Sequence, residues 1–558
     1  MDCEVLPYHW DDRKKLFADQ EYLRGLYERV LIDTANWLNA VHGQNRPVRY
    51  WRIIVGPWLF RFVCIFFDRY ATLMNAAQSG KVTSTWIGQY SQHAPVPADY
   101  EDFSTLVCDD EYNHFLFSWI IKELAPFPFQ ALQPGLGQPQ PALVKKTDPC
   151  GKRFLKRLVL GYERRLPHRF NRYVFVSSYF GAWDQALLQI SLGQWPSFFP
   201  PQVEHLSVDV NPAIRASFTP SFAQDRFEEL LARIIPSQFP RAYLEEYASM
   251  KERALSRYPR RPEAIFTTNG YYANEGFKFF AAEQIGTGTR LAGGQHGGLY
   301  GMALFNLAED HEIAVSDRYY TWGWESIADD KVKPLPAIQL NRFRRDVRPD
   351  RAGRVLLVLA GMPRYFYHMY STFLASSGAL AYFDDQYAFV RSLSEENKRL
   401  LLVRLYMHDY GWDQKARWER EFQDIECDHG KESLCAQLKR SRLFVGTYNS
   451  TTYLEAFAAD FPTLLFWTPG QWELRPSAKE YFDELRDVGI LFDSPDAAAL
   501  KVNQISGDPW SWWHQPQIQK VKDRFCDSFA RSSGNWVREW GSEFRCLAER
   551  RRAADGGV

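Results

Sequence analysis

Two hydrophobic rhythms divide the chain. From about residue 11 to 125 the apolar positions recur at helical spacing. KLFADQEYLRGLYERVLIDTANWLNAVHG predicts one long helix, with Gly43 placed to end it. RYWRIIVGPWLFRFVCIFFDRYATLMNAA is apolar nearly all round, so it predicts a helix buried in a large domain, kinked or started by Pro57. Its most apolar run, residues 53 to 67, is shorter than the ~18 to 20 residues of a membrane span, and Arg61 interrupts it. A membrane-surface helix is the alternative reading. Residues 125 to 150 hold six prolines and predict a loop or linker.

From about residue 170 short apolar runs alternate with helical segments. RYVFVSSYF, EAIFTTNG, RLAGGQHGG and EIAVSDRYYTWGW (312 to 324) read as strands, with WDQALLQISLG as a helix after the first. A second series begins near 353: RVLLVLAG, RLLLVRLY, RLFVGT, TLLFW and GILFD, separated by helical stretches. Continuous apolar strands of this kind belong to parallel sheets covered on both faces, the doubly wound α/β pattern. The last stretch, 510 to 552, reads as helices rich in Trp and Arg that return to the first α/β unit.

Composition narrows the function. The 558 residues are 46% hydrophobic, enough for a sizeable core. Lys+Arg and Asp+Glu are equal at 67 each, so no nucleic-acid partner is expected. Aromatic residues make up 16% of the chain; their faces suit sugars and nucleobases, though most fill cores. Eight scattered cysteines without a CxxC pair read as free thiols of a reducing compartment, and Cys427 with His429 lacks a second ligand pair for zinc. The N-terminus shows no signal-peptide pattern.

The strongest chemical pattern is GTYNSTTYLEAFAADFPTLLFW, 446 to 467. A buried strand ends at Gly446, and Thr447, Asn449, Ser450 and Thr451 are residue types that open a helix. The free N–H groups of such a start, Thr452 included, and the positive end of the helix dipole suit a phosphate. Glu455, one turn on, is in reach of a ribose hydroxyl. A plain capped helix would carry the same letters.

GGQHGGLYG, 293 to 301, is the second pattern. Glycine pairs flank Gln295 and His296, and Gly297 and Gly298 let backbone approach a ligand closely. His296 is a candidate acid or base near neutral pH; a structural turn is the alternative. Asp317, Trp322 and Trp324 follow and are candidates for the same cleft. In the second unit Arg404 ends a strand and Arg364 follows another, so either could offset phosphate charge. Asp184, in a first helical turn after Ser177, Ser178 and Tyr179, is a reserve catalytic carboxylate or a cap. Asn39, His42, Trp58, Asp68, Arg69 and Trp322 are candidates for an acceptor pocket. No HExxH, GxSxG or metal-binding acidic pair in a convincing setting is present, so the expectation is a reaction without metal or cofactor.

These pieces together carry a resemblance. LNAVHG with PWLFRFVCIFFDRY, GGQHGGLYG with SDRYYTWGW, RLYMHDYGW, and GTYNSTTYLEAFAADFPTLLFW keep one order over most of the chain. The sequence resembles a family of transferases encoded in O-antigen and surface-polysaccharide gene clusters, related to capsule glycosyltransferases, Kdo transferases and polyol-phosphate transferases. Met407-His408 stands where that family has a proline-containing segment. The resemblance implies an α/β, GT-B-like fold: two Rossmann-like domains facing a cleft, with a helical N-terminal region and a C-terminal helical tail. The expected parts are 1–125 helical, 126–345 acceptor and catalytic domain, 350–505 nucleotide-donor domain, and 506–558 helices packing back. It implies transfer of a sugar or related group from a nucleotide-activated donor to a lipid-linked or polysaccharide acceptor, in the cytoplasm or peripherally at the inner membrane face. A nucleotide-sugar 2-epimerase and a non-catalytic glycan-binding scaffold remain the alternatives.

Overall fold

The fold is that of a computed structural model, which describes residues 4–88, 90, 95–132, 161, 167–197, 201, 203, 206, 208–326, 329–372, 376–428 and 430–555. Most of the proline-rich 125–150 segment, Cys3, Cys150 and His429 lie outside the described residues. The six described cysteines are free thiols.

The N-terminal part is built on two long helices, Arg13–Val41 and Val48–Gln78, packed on each other. Asp12 caps the first by accepting from the Lys14 and Lys15 amides, and Gly43 follows its end at φ +58°. The second runs straight through Pro57, which lies nine residues inside it rather than at its start. Its residues from Ile53 to Leu59 are all buried. It is long and apolar enough to cross a membrane, but 89% of its most apolar window is buried inside the protein. It packs on the helices Glu275–Ile285 and Leu307–Val315, so it is the central rod on which the first α/β unit is assembled. Each fully buried Phe or Leu along it stabilises the fold by about 1.5–3 kcal/mol.

A small parallel pair, β1 (Thr85–Gly88) and β2 (Phe129–Leu132), decorates this region. The first main sheet is all parallel and runs in chain order: β3 (Tyr173–Val176), β4 (Ala264–Thr267), β5 (Arg290–Gly294), β6 (Arg318–Thr321) and β7 (Val332–Pro334). The strand expected over 312–324 is corrected here. Glu312–Val315 closes the Leu307–Val315 helix, which Asn306 caps, and only Arg318–Thr321 is strand. A short apolar run such as IAV after Glu312 fits either element, and the cap decides it.

The second sheet comprises β8 (Arg354–Val358), β9 (Leu401–Arg404), β10 (Glu426–Asp428), β11 (Ser441–Gly446), β12 (Thr463–Phe466) and β13 (Leu491–Phe492). Its spatial order is β10-β9-β8-β11-β12-β13, all parallel. The order reverses between β8 and β11, and the crevice beyond their C-terminal ends is where such sheets bind ligands. The architecture is thus GT-B-like, two Rossmann-like α/β units with a helical N-terminal region. The C-terminal helix Trp536–Asp555 lies on the first sheet, where Trp540 and Phe544 pack with Phe175, Phe266 and Tyr320.

A buried polar knot ties the helices together. Arg69, 1% exposed, pairs with Asp68 and donates to Asn113 Oδ1 at 2.7 and 2.9 Å and to the Phe366 carbonyl at 3.0 Å. Asp68 also accepts from Tyr8 and faces His9 at 3.1 Å. Arg69 holds Asp68 below the ordinary carboxylate range against the cost of burial. Removing one partner of a buried ion pair costs about 3–5 kcal/mol. Asp68→Ala is therefore expected to lower the urea midpoint by that order, while Asp110→Ala, at an exposed pair, shifts it little.

Candidate functional site

The site is built where the loop after β5 meets the helix after β11. Gly298 lies against the backbone of Ser450 and Thr451. A Cβ on Gly298 would come within 2.6 Å of the Ser450 carbonyl oxygen and the Thr451 nitrogen. The Gly298 amide donates to Thr451 Oγ1 at 2.8 Å. Gly297 is looser, its nearest neighbour being Thr451 Oγ1 at 3.4 Å from an added Cβ. The two glycine-flanked and cap-rich segments thus touch through backbone.

Beyond Gly298 the chain is anchored in the second unit. Tyr300 and Met302 are buried in its core, the Arg475 amide donates to the Met302 carbonyl at 2.9 Å, and Leu304 donates to the Glu473 carbonyl at 2.9 Å. Arg475 pairs with Glu309 at 2.8 Å, and Arg13 of the first helix pairs with Glu473 at 2.6 Å.

Gln295 sets the loop rather than reaching outward. It is 2% exposed. Its side-chain oxygen accepts from the Trp322 amide at 3.0 Å and Trp324 Nε1 at 2.9 Å, and its nitrogen donates to the Gly297 carbonyl at 2.8 Å. Trp322 donates its own Nε1 to the Gln295 carbonyl. The WGW turn is therefore a clamp on the loop. Asp317 sits at the opposite end of β6, paired with Arg49 at 3.0 Å, and is not part of this site.

His296 points to a carboxylate that the sequence did not single out. Its Nδ1 is 3.3 Å from the Tyr300 hydroxyl and 3.5 Å from Glu312 Oε1. Glu312 is fully buried and accepts from Tyr300 at 2.8 Å and Tyr319 at 2.9 Å, with Tyr272 as a further partner. Burial pushes the Glu312 carboxyl up to about 8, the tyrosine hydroxyls opposing. Burial pulls His296 down to about 4, against its hydrogen bond to the Thr268 backbone. At neutral pH the imidazole is neutral, able to take a proton, beside a carboxyl poised to hold one. Tyr179, at φ +57° after β3, faces His296 with ring centroids 6.1 Å apart.

The second unit contributes an enclosed carboxylate. Burial pushes Glu455 up to about 8, and Arg404 opposes this. Thr452 donates to the Tyr448 hydroxyl at 3.1 Å on the same helix start. Ser450 caps the Thr451–Ala458 helix by backbone alone, with no side-chain hydrogen bond to it. Asn449 is buried and accepts from Tyr453 at 2.9 Å, so it supports the turn.

Other expected residues lie apart. Arg404 is held by the Glu432 carbonyl and Gln437 at 2.7 Å and by Asp428 at 3.4 Å. Arg364 pairs with both oxygens of Asp110 at 2.8 Å. Asp184 stands over Gly181 with its charge felt by Arg345, and nothing brings it to His296. The acceptor pocket expected from Asn39, His42, Asp68 and Trp322 does not form. Asn39 ties down Arg46 and Trp51, and His42 stacks on Tyr247 at 4.0 Å, brought down to about 4 by burial. Asp68 lies 17 residues beyond Trp51 on one helix, roughly 25 Å away. Trp58 is fully buried core.

Comparison with known proteins follows the same outline. Residues 1–544 match the model of a family described as LIC12162 family transferase. No curated protein matches the chain. Among solved structures, Acinetobacter baumannii MurG is 10% identical, with 83% of this chain and 100% of that one covered and a TM-score of 0.30. The wall teichoic acid polymerase TagF is 11% identical, with 72% and 97% covered and a TM-score of 0.33. WaaG, a glycosyltransferase involved in lipopolysaccharide biosynthesis, is 11% identical, with 53% and 94% covered and a TM-score of 0.28. Likeness at these TM-scores carries no argument about chemistry here.

Two outcomes are expected. Gly298→Ala overpacks the junction at about 1–3 kcal/mol, lowering the melting temperature, while Gly297→Ala is tolerated; differential scanning fluorimetry separates them. Glu312 is raised in the folded state, so its ionisation destabilises the fold progressively from about pH 4.5 to 8. Glu312→Gln removes that term. Its unfolding free energy relative to wild type, measured by urea titration, is expected to rise across pH 5 to 8 by at most about 1.4 kcal/mol per pH unit.

Proposed function

The chain belongs to the LIC12162 family of transferases, and from that premise we propose that it moves a sugar or related group from a nucleotide-activated donor to a surface-polysaccharide or O-antigen acceptor. The observation that carries this reading is the junction of the two α/β units. A neutral histidine with a proton-holding carboxyl stands beside a glycine loop seated on a helix start, at the ligand-binding edge of a doubly wound sheet.

In this reading the donor phosphates sit against the Ser450–Thr452 helix start, where amides and helix dipole favour negative charge. The Ser450 hydroxyl is free of capping duty there. Glu455 takes a ribose hydroxyl. Its raised affinity for protons suits a carboxyl that exchanges hydrogen bonds with a neutral sugar. His296 acts as base toward the acceptor hydroxyl: the proton moves to the imidazole as the oxygen attacks the donor's anomeric carbon, and the bond to the leaving phosphate breaks. Tyr300 and the protonated Glu312 orient the ring. Gln295 and the two tryptophans hold the loop in place. Arg404, anchored by Asp428 and Gln437, contributes a positive field at the mouth rather than a direct clamp.

The acceptor is lipid-linked or polymeric, met at the cytoplasmic membrane face. The helix Ala182–Ser191 supports peripheral attachment, since Trp183, Leu187 and Ile190 share one face and are exposed at 84, 50 and 59%.

Thermal shift against CMP, CDP, UDP and GDP and their sugar conjugates tests the reading. One nucleotide is expected to stabilise the protein by about 2.7 kcal/mol at a hundredfold excess over its Kd. Glu455→Gln and Thr452→Val should lose that shift. With the matching donor, His296→Ala should cut turnover by roughly 10²–10⁴ while the nucleotide shift persists. Absence of any nucleotide response, or unchanged turnover in His296→Ala, would overturn it.

A further inference from the structure

Arg61 is a cation without a counter-ion. It projects from the central helix into a cage of tyrosines, its guanidinium carbon 5.1 Å from the Tyr100 ring, 5.7 Å from Tyr272 and 5.9 Å from Tyr367. Its Nε is buried without a hydrogen bond; burial opposes its charge, and the surrounding tyrosines, Tyr100 first, more than offset this and raise its proton affinity. Other arginines on this helix are treated differently: Arg49, Arg52 and Arg69 each have an acidic partner.

A second unsatisfied group faces the same space. His368, 7% exposed, has no partner for Nδ1. It follows Tyr367 on the segment after β8 and packs on Tyr370 with ring centroids 4.4 Å apart. Arg61 lowers the proton affinity of both His368 and His296, which places all three within electrostatic reach. Tyr272 links them physically, since its ring faces Arg61 on one side and His296, at 6.1 Å, on the other. The described surroundings thus bring together a guanidinium, two imidazoles and tyrosine hydroxyls, with nearby carboxyls already engaged, Glu312 by three tyrosines and Glu275 by Lys278, Tyr243 and the Tyr100 amide.

We infer that Arg61 and His368 form an oxyanion-binding site, for a phosphate or carboxylate group of a substrate, that opens onto His296. The inference rests on the transferase reading only for its role, which is to orient the substrate that reacts at His296. No hydrogen bond or ring contact among the described residues links Arg61 or His368 to the Ser450 helix start, so this is a second anion site. Its two sources are the donor's phosphates and an acidic group on the acceptor.

Isothermal titration of the full chain with inorganic pyrophosphate and with glucuronate tests it, alongside Arg61→Met, Arg61→Lys and His368→Gln. Wild type is expected to bind at least one probe. Arg61→Met should weaken that binding at least tenfold, His368→Gln several-fold, and Arg61→Lys less than Arg61→Met. Preference for pyrophosphate assigns the site to the donor side, preference for glucuronate to the acceptor side. Unliganded Arg61→Met should melt close to the wild-type temperature, because no ion pair or hydrogen bond among the described residues is lost with it; a purely structural arginine would give a clear fall. Equal binding by wild type and Arg61→Met, or no binding of either probe by wild type at millimolar concentration, overturns the inference. If Arg61→Met does not fold, undiminished binding by His368→Gln and Arg61→Lys overturns it instead. The nucleotide response lost on Glu455→Gln stands or falls separately.

Discussion

Everything at the centre of this protein depends on a contact that no side chain can enter. The backbone of Gly298 rests on the Ser450–Thr451 peptide, and one hydrogen bond from the glycine amide to Thr451 fixes the spacing. The two sheets are held in one geometry there, with the C-terminal ends of β5 and β11 brought together. The buried Tyr300 and Met302, and the strand-like pairing of Ala303 with Leu474, carry the same chain on into the second core. Movement between the units must therefore leave the 299–305 segment seated, or extract two large buried side chains.

That rigidity explains how the chemistry can sit on a loop. His296 follows Gln295, whose side-chain oxygen is held by the Trp322 backbone amide and the Trp324 indole, and precedes the seated glycines. Its imidazole is consequently presented to Glu312 and Tyr300 by a segment with little freedom, a form of preorganisation that spares a catalytic group the cost of being ordered. The carboxyl itself comes from a helix bound to the central Val48–Gln78 rod, so the N-terminal helices and the His296 loop are parts of one assembly.

Much of this was legible in the letters, for physical reasons. Parallel strands buried on both faces must be continuous apolar runs, and β8, β9, β11 and β12 announce themselves that way. The Gly-Gly pairs and the Asn-Ser-Thr turn stand out because close backbone approach and helix starts admit few residue types. Glu312 was hidden. Its segment mimics a strand, and its role exists only because tyrosines from three other places converge on it. Arg61 was read as an interruption of an apolar run, since nothing local tells that no acid meets it. Asn39, His42 and Asp68 misled because polar residues on apolar helices serve packing networks as readily as pockets. β10, with the letters ECD, carries no apolar signal at all.

The buried helix Val48–Gln78 also sets a problem of timing. It leaves the ribosome early, but the helices that cover it, Glu275–Ile285 and Leu307–Val315, are encoded about 200 residues later. At about 5–20 residues per second that interval lasts roughly 10–40 s. During it a segment with the length and apolarity of a membrane span is covered on part of its surface only, by its hairpin partner Arg13–Val41 and then by the helix Asp110–Leu124. Sorting factors that read nascent apolar helices meet this chain before its own core exists. The pairing of the first two helices, with Arg61 breaking the apolar run, thus bears on where the polypeptide is delivered as well as on how it is finally packed.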